Sequence, residues 1–310
     1  MRLSVVDPVG PAIQRTKLTL FDPFDFGKWA RLAFCAFLMS LGEGGGGSSG
    51  PHGGGGGDGG IDFEPILEWI RDNLPLVVMI AVAALVVVFA FGVLLTWLSS
   101  RGHFMFLDGV VHNRGEVSAP WREYRREANS FCLFRICLGL VGFVFVVAIL
   151  ALGALLAMPA IRAREFDGSA VGAILLAVCA LVPFALIMSF IGTLLDDFVK
   201  PIMYLRRVGV RQAWRIFNEE MFAGRTGTFV LYFLFKIVIG MAVASIAMMA
   251  VCLTCCVVAI PYVGTIILLP LFVFGQAYPL YFIEQFGPQW QFFDAKPALP
   301  PKSQNPFGAV

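Results

Sequence analysis

The sequence predicts an all-α integral membrane protein with six transmembrane helices. Of its 310 residues, 58% are hydrophobic and only 14% are charged, a composition outside the range of soluble globular domains. Residues 73–100, 136–161 and 168–195 contain no Asp, Glu, Lys or Arg, and residues 237–283 form an uncharged stretch of 47 residues. A helix that crosses ~30 Å of hydrocarbon needs about 20 apolar residues. The longest stretch therefore has room for two spans.

The order of the elements follows from these stretches and from the residues that interrupt them. Residues 1–28 are predicted to form a cytoplasmic lead-in, because charges and prolines stand where a signal peptide needs an apolar region. The membrane domain is predicted to cover residues 29–286, and residues 287–310 a disordered cytoplasmic tail. The six spans are expected at residues 29–42, 75–98, 132–158, 171–195, 229–256 and 262–282.

The first predicted span is the shortest. Residues 29–42 reach only ~21 Å as a helix, so Lys28 and Arg31 would have to extend to the headgroups while Trp29 anchors at the interface. Residues 42–60 then contain 13 glycines in 19 positions. This composition predicts a flexible outer loop, because it offers no side chains for a core.

The distribution of Lys and Arg predicts the orientation. The N-terminal segment contains five of them, the linkers 101–129 and 196–228 contain five and six, and the tail contains two. The opposite side contains only Arg71, Arg162 and Arg164. Cytoplasmic loops carry the excess of Lys and Arg. A multi-pass protein of the inner membrane with both termini in the cytoplasm satisfies every linker.

The two basic linkers are similar to each other at an offset of 93 residues. Each precedes a predicted span, so the unit would be an interfacial helix followed by a transmembrane hairpin, present in two copies. The matching pairs are Arg114 and Arg207, Val117 and Val210, Trp121 and Trp214, and Arg122 and Arg215.

The second linker also predicts an amphipathic helix in the headgroup layer. Its apolar residues recur at helical spacing, and its arginines lie on another face, where they would contact anionic lipid. A docking surface for a cytoplasmic protein is the alternative. The apolar stripe consists of Val210, Trp214, Phe217 and Met221. The residues predicted to contact lipid or a partner are Arg114, Trp121, Arg122, Arg207, Arg211, Trp214 and Arg215.

Two short segments carry a resemblance to known proteins. They are Gly209-Val210-Arg211-Gln212-Ala213-Trp214-Arg215 and its partner Gly115–Arg122. They resemble a turn that precedes a span in uncharacterised bacterial six-span membrane families, including those near the membrane domain attached to some glycerophosphodiester phosphodiesterases. The resemblance implies a shared architecture and no functional residue, and the hydrolase domain itself is absent from these 310 residues.

Candidate chemistry is sparse. Cys252-x-x-Cys255 near the outer end of the fifth span suggests a membrane thiol oxidoreductase. However, no charged residue lies nearby to activate a thiol, and no second cysteine pair stands in an outer loop to relay electrons. We therefore expect Cys252, Cys255 and Cys256 to be small apolar residues between the fifth and sixth spans.

The charged residues near the spans do not predict an ion site. Asp196 and Asp197 close the fourth span beside Lys200 and are interpreted as a solvated helix end, because charges at the boundary cost little. No charge falls at the centre of a strongly predicted span, which disfavours ion-coupled transport. The three histidines match no metal-site spacing, so no metal or cofactor is expected.

The sequence therefore predicts a non-enzymatic membrane protein. It would be a scaffold or accessory subunit that works through the lipid bilayer and its anionic headgroups, a protein partner or a second copy of itself, and not through nucleic acid. A transporter or channel is the alternative suggested by the duplicated hairpins. A thiol oxidoreductase that uses Cys252 and Cys255 is the second alternative.

Overall fold

A computed structural model describes residues 3–42, 73–163, 168–254 and 260–293. Within these ranges every regular element is helical, which confirms the all-α part of the predicted fold class. The helices are α1 Val9–Leu20, α2 Phe26–Ser40, α3 Leu74–His112, α4 Ser118–Glu123, α5 Arg125–Ala163, α6 Gly168–Leu194, α7 Lys200–Arg206, α8 Val210–Ile216, α9 Thr226–Leu253, α10 Pro261–Ile267 and α11 Leu269–Glu284. Most of the Gly-rich loop and most of the tail lie outside the described residues.

Among the described residues, four helical stretches are long and apolar enough to cross a membrane. In three of them the most apolar 18-residue section has no residue buried inside the protein, and in the fourth only 11% of that section is buried. Apolar surface that faces outward along the whole section is what a lipid-exposed helix requires. These stretches overlap the second to fifth predicted spans, and they are Pro75–His112, Arg125–Leu156, Leu175–Arg206 and Thr226–Leu253.

Two of these helical stretches continue well past the predicted spans. Helix α3 runs on from Leu98 to His112, because residues 99–112 contain no proline and residues 99–110 are buried inside the protein. It ends where Asn113 adopts a left-handed conformation with φ of 53°, and the backbone N–H of Asn113 bonds to the carbonyl of Gly109. The third stretch passes from α6 through a π-helical turn at Leu195–Val199 into α7.

The first and sixth predicted spans are shorter helices. Helix α2 has 15 residues and buries one face against α3. The sixth stretch is divided at Leu268 into α10 and α11. Pro270 explains the division, since it lies in the first turn of α11, has no N–H and restricts the residue before it. The structure therefore supplies four of the six spans as long helices.

The packed core lies at one end of the four long helices, which we call the core end. Phe198 stands at its centre, and the rings of Phe217, Phe229, Tyr232 and Phe282 have centroids 5.0 to 5.9 Å from its own. Such pairs each contribute about 0.5–1.5 kcal/mol beyond the area that they bury. The core therefore joins α6, α9 and α11 with the residues that follow α8.

Helices α2 and α3 approach each other closely through glycine. A Cβ atom added to Gly102 would lie 2.5 Å from the backbone nitrogen of Met39 and 2.7 Å from the carbonyl carbon of Leu38. Only a residue without a side chain permits this distance between the two backbones. Ser99 strengthens the contact, because its hydroxyl donates a hydrogen bond of 2.6 Å to the carbonyl of Met39.

The apolar stripe of the second linker packs inside the protein, which corrects the expectation that it faces lipid. Val210, Phe217 and Met221 are 6%, 1% and 0% exposed, and Trp214 is partly buried beside Phe134 and Phe217. The periodicity correctly predicted a helix with one buried face. It could not distinguish burial in protein from burial in lipid, because both environments select the same apolar residues.

Candidate functional site

Asp108 gathers hydrogen-bond donors from three parts of the chain. Tyr204 and Tyr124 donate their hydroxyls to Oδ1 at 2.9 and 3.4 Å, and Arg114 donates from Nη2 to Oδ2 at 3.1 Å. The Nδ1 atom of His112 lies 3.1 Å from Oδ1. Asp108 itself is fully buried. Buried charge is stable only when it is paired in this way, so we call these five residues the Asp108 cluster.

Aromatic stacking holds the Asp108 cluster together. The rings of Tyr124 and Tyr204 are stacked with centroids 4.8 Å apart. The guanidinium of Arg207 lies 3.9 Å from the Tyr124 ring and forms an ion pair with Glu123. Burial raises the pKa of the Tyr124 hydroxyl to about 12. The hydroxyl therefore stays protonated at neutral pH and can donate to Asp108.

A second group of polar side chains lies nearer to the apolar sections of the helices. The Nη1 atom of Arg135 lies 2.8 Å from Nε2 of His103 and 3.3 Å from the hydroxyl of Ser99. Lys200 donates a hydrogen bond of 3.0 Å to Oε1 of Gln276, and its Nζ lies 3.4 Å from Nδ1 of His103. Arginine can only donate, so Nε2 of His103 is the acceptor. This group joins α3, α5, α7 and α11.

Asp197 forms a third group with residues of α9. It is 4% exposed, it accepts a hydrogen bond of 2.9 Å from the hydroxyl of Tyr232, and it forms an ion pair with Lys236. The prediction of a solvated helix end is therefore wrong for Asp197. The helix does not end there, because the π-helical turn carries it on into α7 and directs Asp197 inward.

Arg101 lies between two tryptophan rings. Its guanidinium carbon is 4.5 Å from the ring centroid of Trp97 and 4.7 Å from that of Trp121. Nη1 donates a long hydrogen bond of 3.4 Å to the carbonyl of Trp121. The residue is only 6% exposed. Sequence reasoning missed this arrangement, although the spacing of Trp97 and Arg101 by one helical turn was a usable signal.

The seven residues predicted to contact lipid or a partner divide into two sets. The first set packs or pairs inside the chain, since Arg114 binds Asp108, Arg207 binds Glu123, and the two tryptophans contact other aromatic rings. The second set is exposed and consists of Arg122, Arg211 and Arg215, of which Arg215 forms an exposed ion pair with Glu219.

Of the three cysteines predicted to pack between the fifth and sixth spans, the structure describes Cys252. Cys252 is a free thiol on the exposed surface of α9 and is not packed between two helices as predicted, while Cys255 and Cys256 lie outside the described residues. His112 lies beside Asp108, whereas His103 belongs to the group around Arg135 and Lys200. In the part of the chain that the structure describes, no three His, Cys, Asp or Glu residues are placed to hold a metal ion.

Comparison with known proteins identifies the family and no activity. A comparison with curated proteins and one with solved structures each gave no match. A family model described as a family of unknown function, DUF7544, matches residues 3–286. The resemblance to the membrane domain of some phosphodiesterases stays a prediction, because this match names no activity. Residues 3–286 are nearly the whole chain, and the chain therefore belongs to the family of unknown function DUF7544.

Proposed function

We propose that this chain is a non-enzymatic, multi-pass protein of the inner membrane that holds lipid or protein partners at its cytoplasmic face. The observation that carries the proposal is the contrast between the two ends of the long helices. Their apolar sections face outward along their length, whereas the core end is a packed layer with paired charges and exposed arginines. A scaffold or accessory subunit has this division between an anchor and a contact surface.

The path of the chain supports six crossings. Met39, near the end of α2, contacts Ser99 at the core end, whereas α3 begins at Leu74. The 25 residues between Leu74 and Ser99 span ~38 Å of helix. The end of α2 and the start of α3 therefore lie at opposite ends of the apolar section of α3. Six crossings, two more than the four long helices, would leave both termini on the side with the excess of Lys and Arg, which is the cytoplasm.

Cysteine labelling tests this orientation. In a variant without the native cysteines, single cysteines replace Asn113, Arg211 or Gly168, and intact cells are treated with a membrane-impermeant maleimide. We expect labelling only at position 168, and labelling at 113 and 211 only after the cells are permeabilised. Labelling of position 113 in intact cells would place the core end outside and overturn the proposed orientation.

Photo-crosslinking tests the contact surface. Gln212 is exposed between Arg211 and Arg215, so a crosslinking amino acid at this position reports what approaches the arginine face. Val238 on α9 is 60% exposed and serves as the control on the apolar section. We expect position 212 to yield lipid headgroup or protein adducts that the Arg211→Glu, Arg215→Glu variant loses. The same adducts at both positions, unaffected by the charge change, would contradict the proposal.

A transporter is the second candidate, favoured by one observation. Asp197 of the π-helical turn and Lys236 of α9 form an ion pair near the apolar sections, and ionisable pairs at membrane depth mark proton or ion paths in many transporters. Proteoliposomes under a proton gradient should then show a current that Asp197→Asn abolishes. The absence of current in the wild-type protein would remove this candidate.

A further inference from the structure

Arg101 combines low solvent exposure with unused hydrogen-bonding capacity. A guanidinium has five N–H donors, and the described structure gives those of Arg101 one long hydrogen bond, to the carbonyl of Trp121. Its Nε is buried and has no partner among the described residues. Buried arginine donors normally meet a carboxylate, a carbonyl or a phosphate. This arrangement is therefore suited to an acceptor from outside the chain.

No acidic side chain in the described ranges neutralises Arg101 by an ion pair. The guanidinium of Arg101 is instead repelled by that of Arg125, which is also a cation. Arg125 itself is exposed, as are the neighbouring Arg122 and Arg126. The surroundings of Arg101 thus have an excess of positive charge, which favours an anion.

An apolar groove between α3 and α5 leads to Arg101. Trp97 connects the groove with Arg101, because its ring packs on the guanidinium and its side chain also lines the groove. The groove follows α3 from Ala90 to Trp97, a length of ~10 Å. Its lining residues are Ala90, Val93, Leu94, Trp97, Asn129, Cys132, Leu133 and Ile136. A hydrocarbon chain matches this lining, and a free anion gains nothing from it.

We propose that Arg101 binds the phosphate of an anionic phospholipid whose acyl chain lies in the groove between α3 and α5. The phosphate offers oxygens to the guanidinium, and the tryptophan rings hold the guanidinium in one orientation. Trp97 and Trp121 are also the residue type that anchors at the membrane interface. A second negative charge on the headgroup meets the exposed arginines at the start of α5. The site rests on the proposed function, because it requires the core end to face the surface of a membrane.

The test uses the full chain in phosphatidylcholine vesicles that contain dibrominated phosphatidylglycerol, whose bromine atoms quench nearby tryptophan. We expect quenching at a lower mole fraction of this lipid than of dibrominated phosphatidylcholine. Arg101→Gln should raise the half-quenching fraction of phosphatidylglycerol about tenfold, the size of one charge-assisted hydrogen bond. Lys17→Gln removes one positive charge from an exposed position on α1 and should change the fraction less than twofold.

Two further variants keep the proposal falsifiable if Arg101→Gln fails to fold. Arg101→Lys retains the charge without the planar fork of donors, and Ala90→Phe fills the groove from an exposed position on α3. Each should weaken quenching by phosphatidylglycerol by several fold. Wild-type quenching in both variants would overturn the site.

Other outcomes identify a different source of the effect. Competition by inorganic phosphate in excess, with equal strength in wild type and Ala90→Phe, would show a free anion site and overturn the proposal. Equal losses in Arg101→Gln and Lys17→Gln would show diffuse attraction and overturn it as well. Maleimide labelling at position 113 distinguishes failure of the lipid site from failure of the proposed function. If position 113 lies inside and Arg101→Gln binds phosphatidylglycerol as the wild type does, the lipid site is ruled out and the proposed function stands.

Discussion

Tyr204 donates its hydroxyl to Oδ1 of Asp108 at 2.9 Å, although the two residues are 96 positions apart in the chain. The bond ties α3 to α7, which continue the second and fourth predicted spans beyond their apolar sections. The same carboxylate binds Arg114 and the hydroxyl of Tyr124. One buried acid therefore fixes how the linkers between three long helices are arranged at the core end.

Replacement of Asp108 by Asn should destabilise the protein. The change leaves the Arg114 guanidinium without its charge partner and weakens the acceptors for two tyrosine hydroxyls, and each buried group left without a partner costs about 1–3 kcal/mol. Glu116→Gln is the control, because Glu116 is 53% exposed and lies 3.8 Å from Arg114. The free energy of unfolding in detergent should fall for the first variant only. Equal stability of the two variants would show that the cluster contributes little.

Asp197 and Lys236 should be energetically coupled. Removing Lys236 leaves a buried carboxylate without its cation, and removing Asp197 leaves a lysine whose side chain is only 34% exposed. Each single replacement should therefore lower the free energy of unfolding more than the loss of the ion pair alone would, because one charge is left without a partner. In a double-mutant cycle with Asp197→Leu and Lys236→Met we expect a coupling free energy above about 1 kcal/mol. The exposed pair Arg215 and Glu219, 3.9 Å apart, should give a coupling near zero. Similar coupling in both cycles would be the contrary result.

Gly102→Ala should separate α2 from α3. The added Cβ would meet backbone atoms of Leu38 and Met39 at 2.5 to 2.7 Å, which forces a shift that costs about 1–3 kcal/mol. Gly139→Ala on α5 is the matched control, because nothing lies within 4 Å of its added Cβ. Thermal unfolding in detergent should show a lower midpoint for Gly102→Ala and an unchanged or higher one for Gly139→Ala. Equal midpoints would mean that the two helices do not approach so closely.

Stability should fall as the pH rises from 10 to about 12. Burial raises the pKa of Tyr124 to about 12, above the ordinary value near 10. In that interval the folded state keeps the proton that the unfolded state loses, so the free energy of unfolding decreases with pH. Tyr124→Phe should therefore show a smaller decrease over the interval, with no difference in slope between pH 7 and 8. An identical alkaline slope in both proteins would contradict the assignment.

The sequence predicted the helical fold and four of the long helices correctly. Its strongest signal was the absence of charge over residues 73–100, 136–161 and 168–195, and such stretches are readable because lipid excludes charge locally, residue by residue. The ends of these helices were less well predicted. The helix that contains the second span continues to His112, because helical geometry does not stop where apolar composition does.

The functional residues were harder to predict than the fold. Arg114 and Arg207 were selected for their charge and their place in the repeated linkers, yet both pair with acids of the same chain. Arg101 was not selected, although it is the arginine that lies between two tryptophans. Charge and spacing identify which residues stand near the membrane surface. They do not identify which of them already have a partner.

The sequence by itself determined the helical character of the described residues and the four helices that are long and apolar enough to cross a membrane, because hydrophobicity and helix formation depend on residues close together in the chain. Only the tertiary structure decided that Asp197 is buried, that the stripe from Val210 to Met221 faces protein, and that Arg101 keeps unused donors. Each of these properties depends on contacts between residues far apart in the chain, such as Asp108 and Tyr204. Such contacts follow from how the helices pack, which no local pattern records.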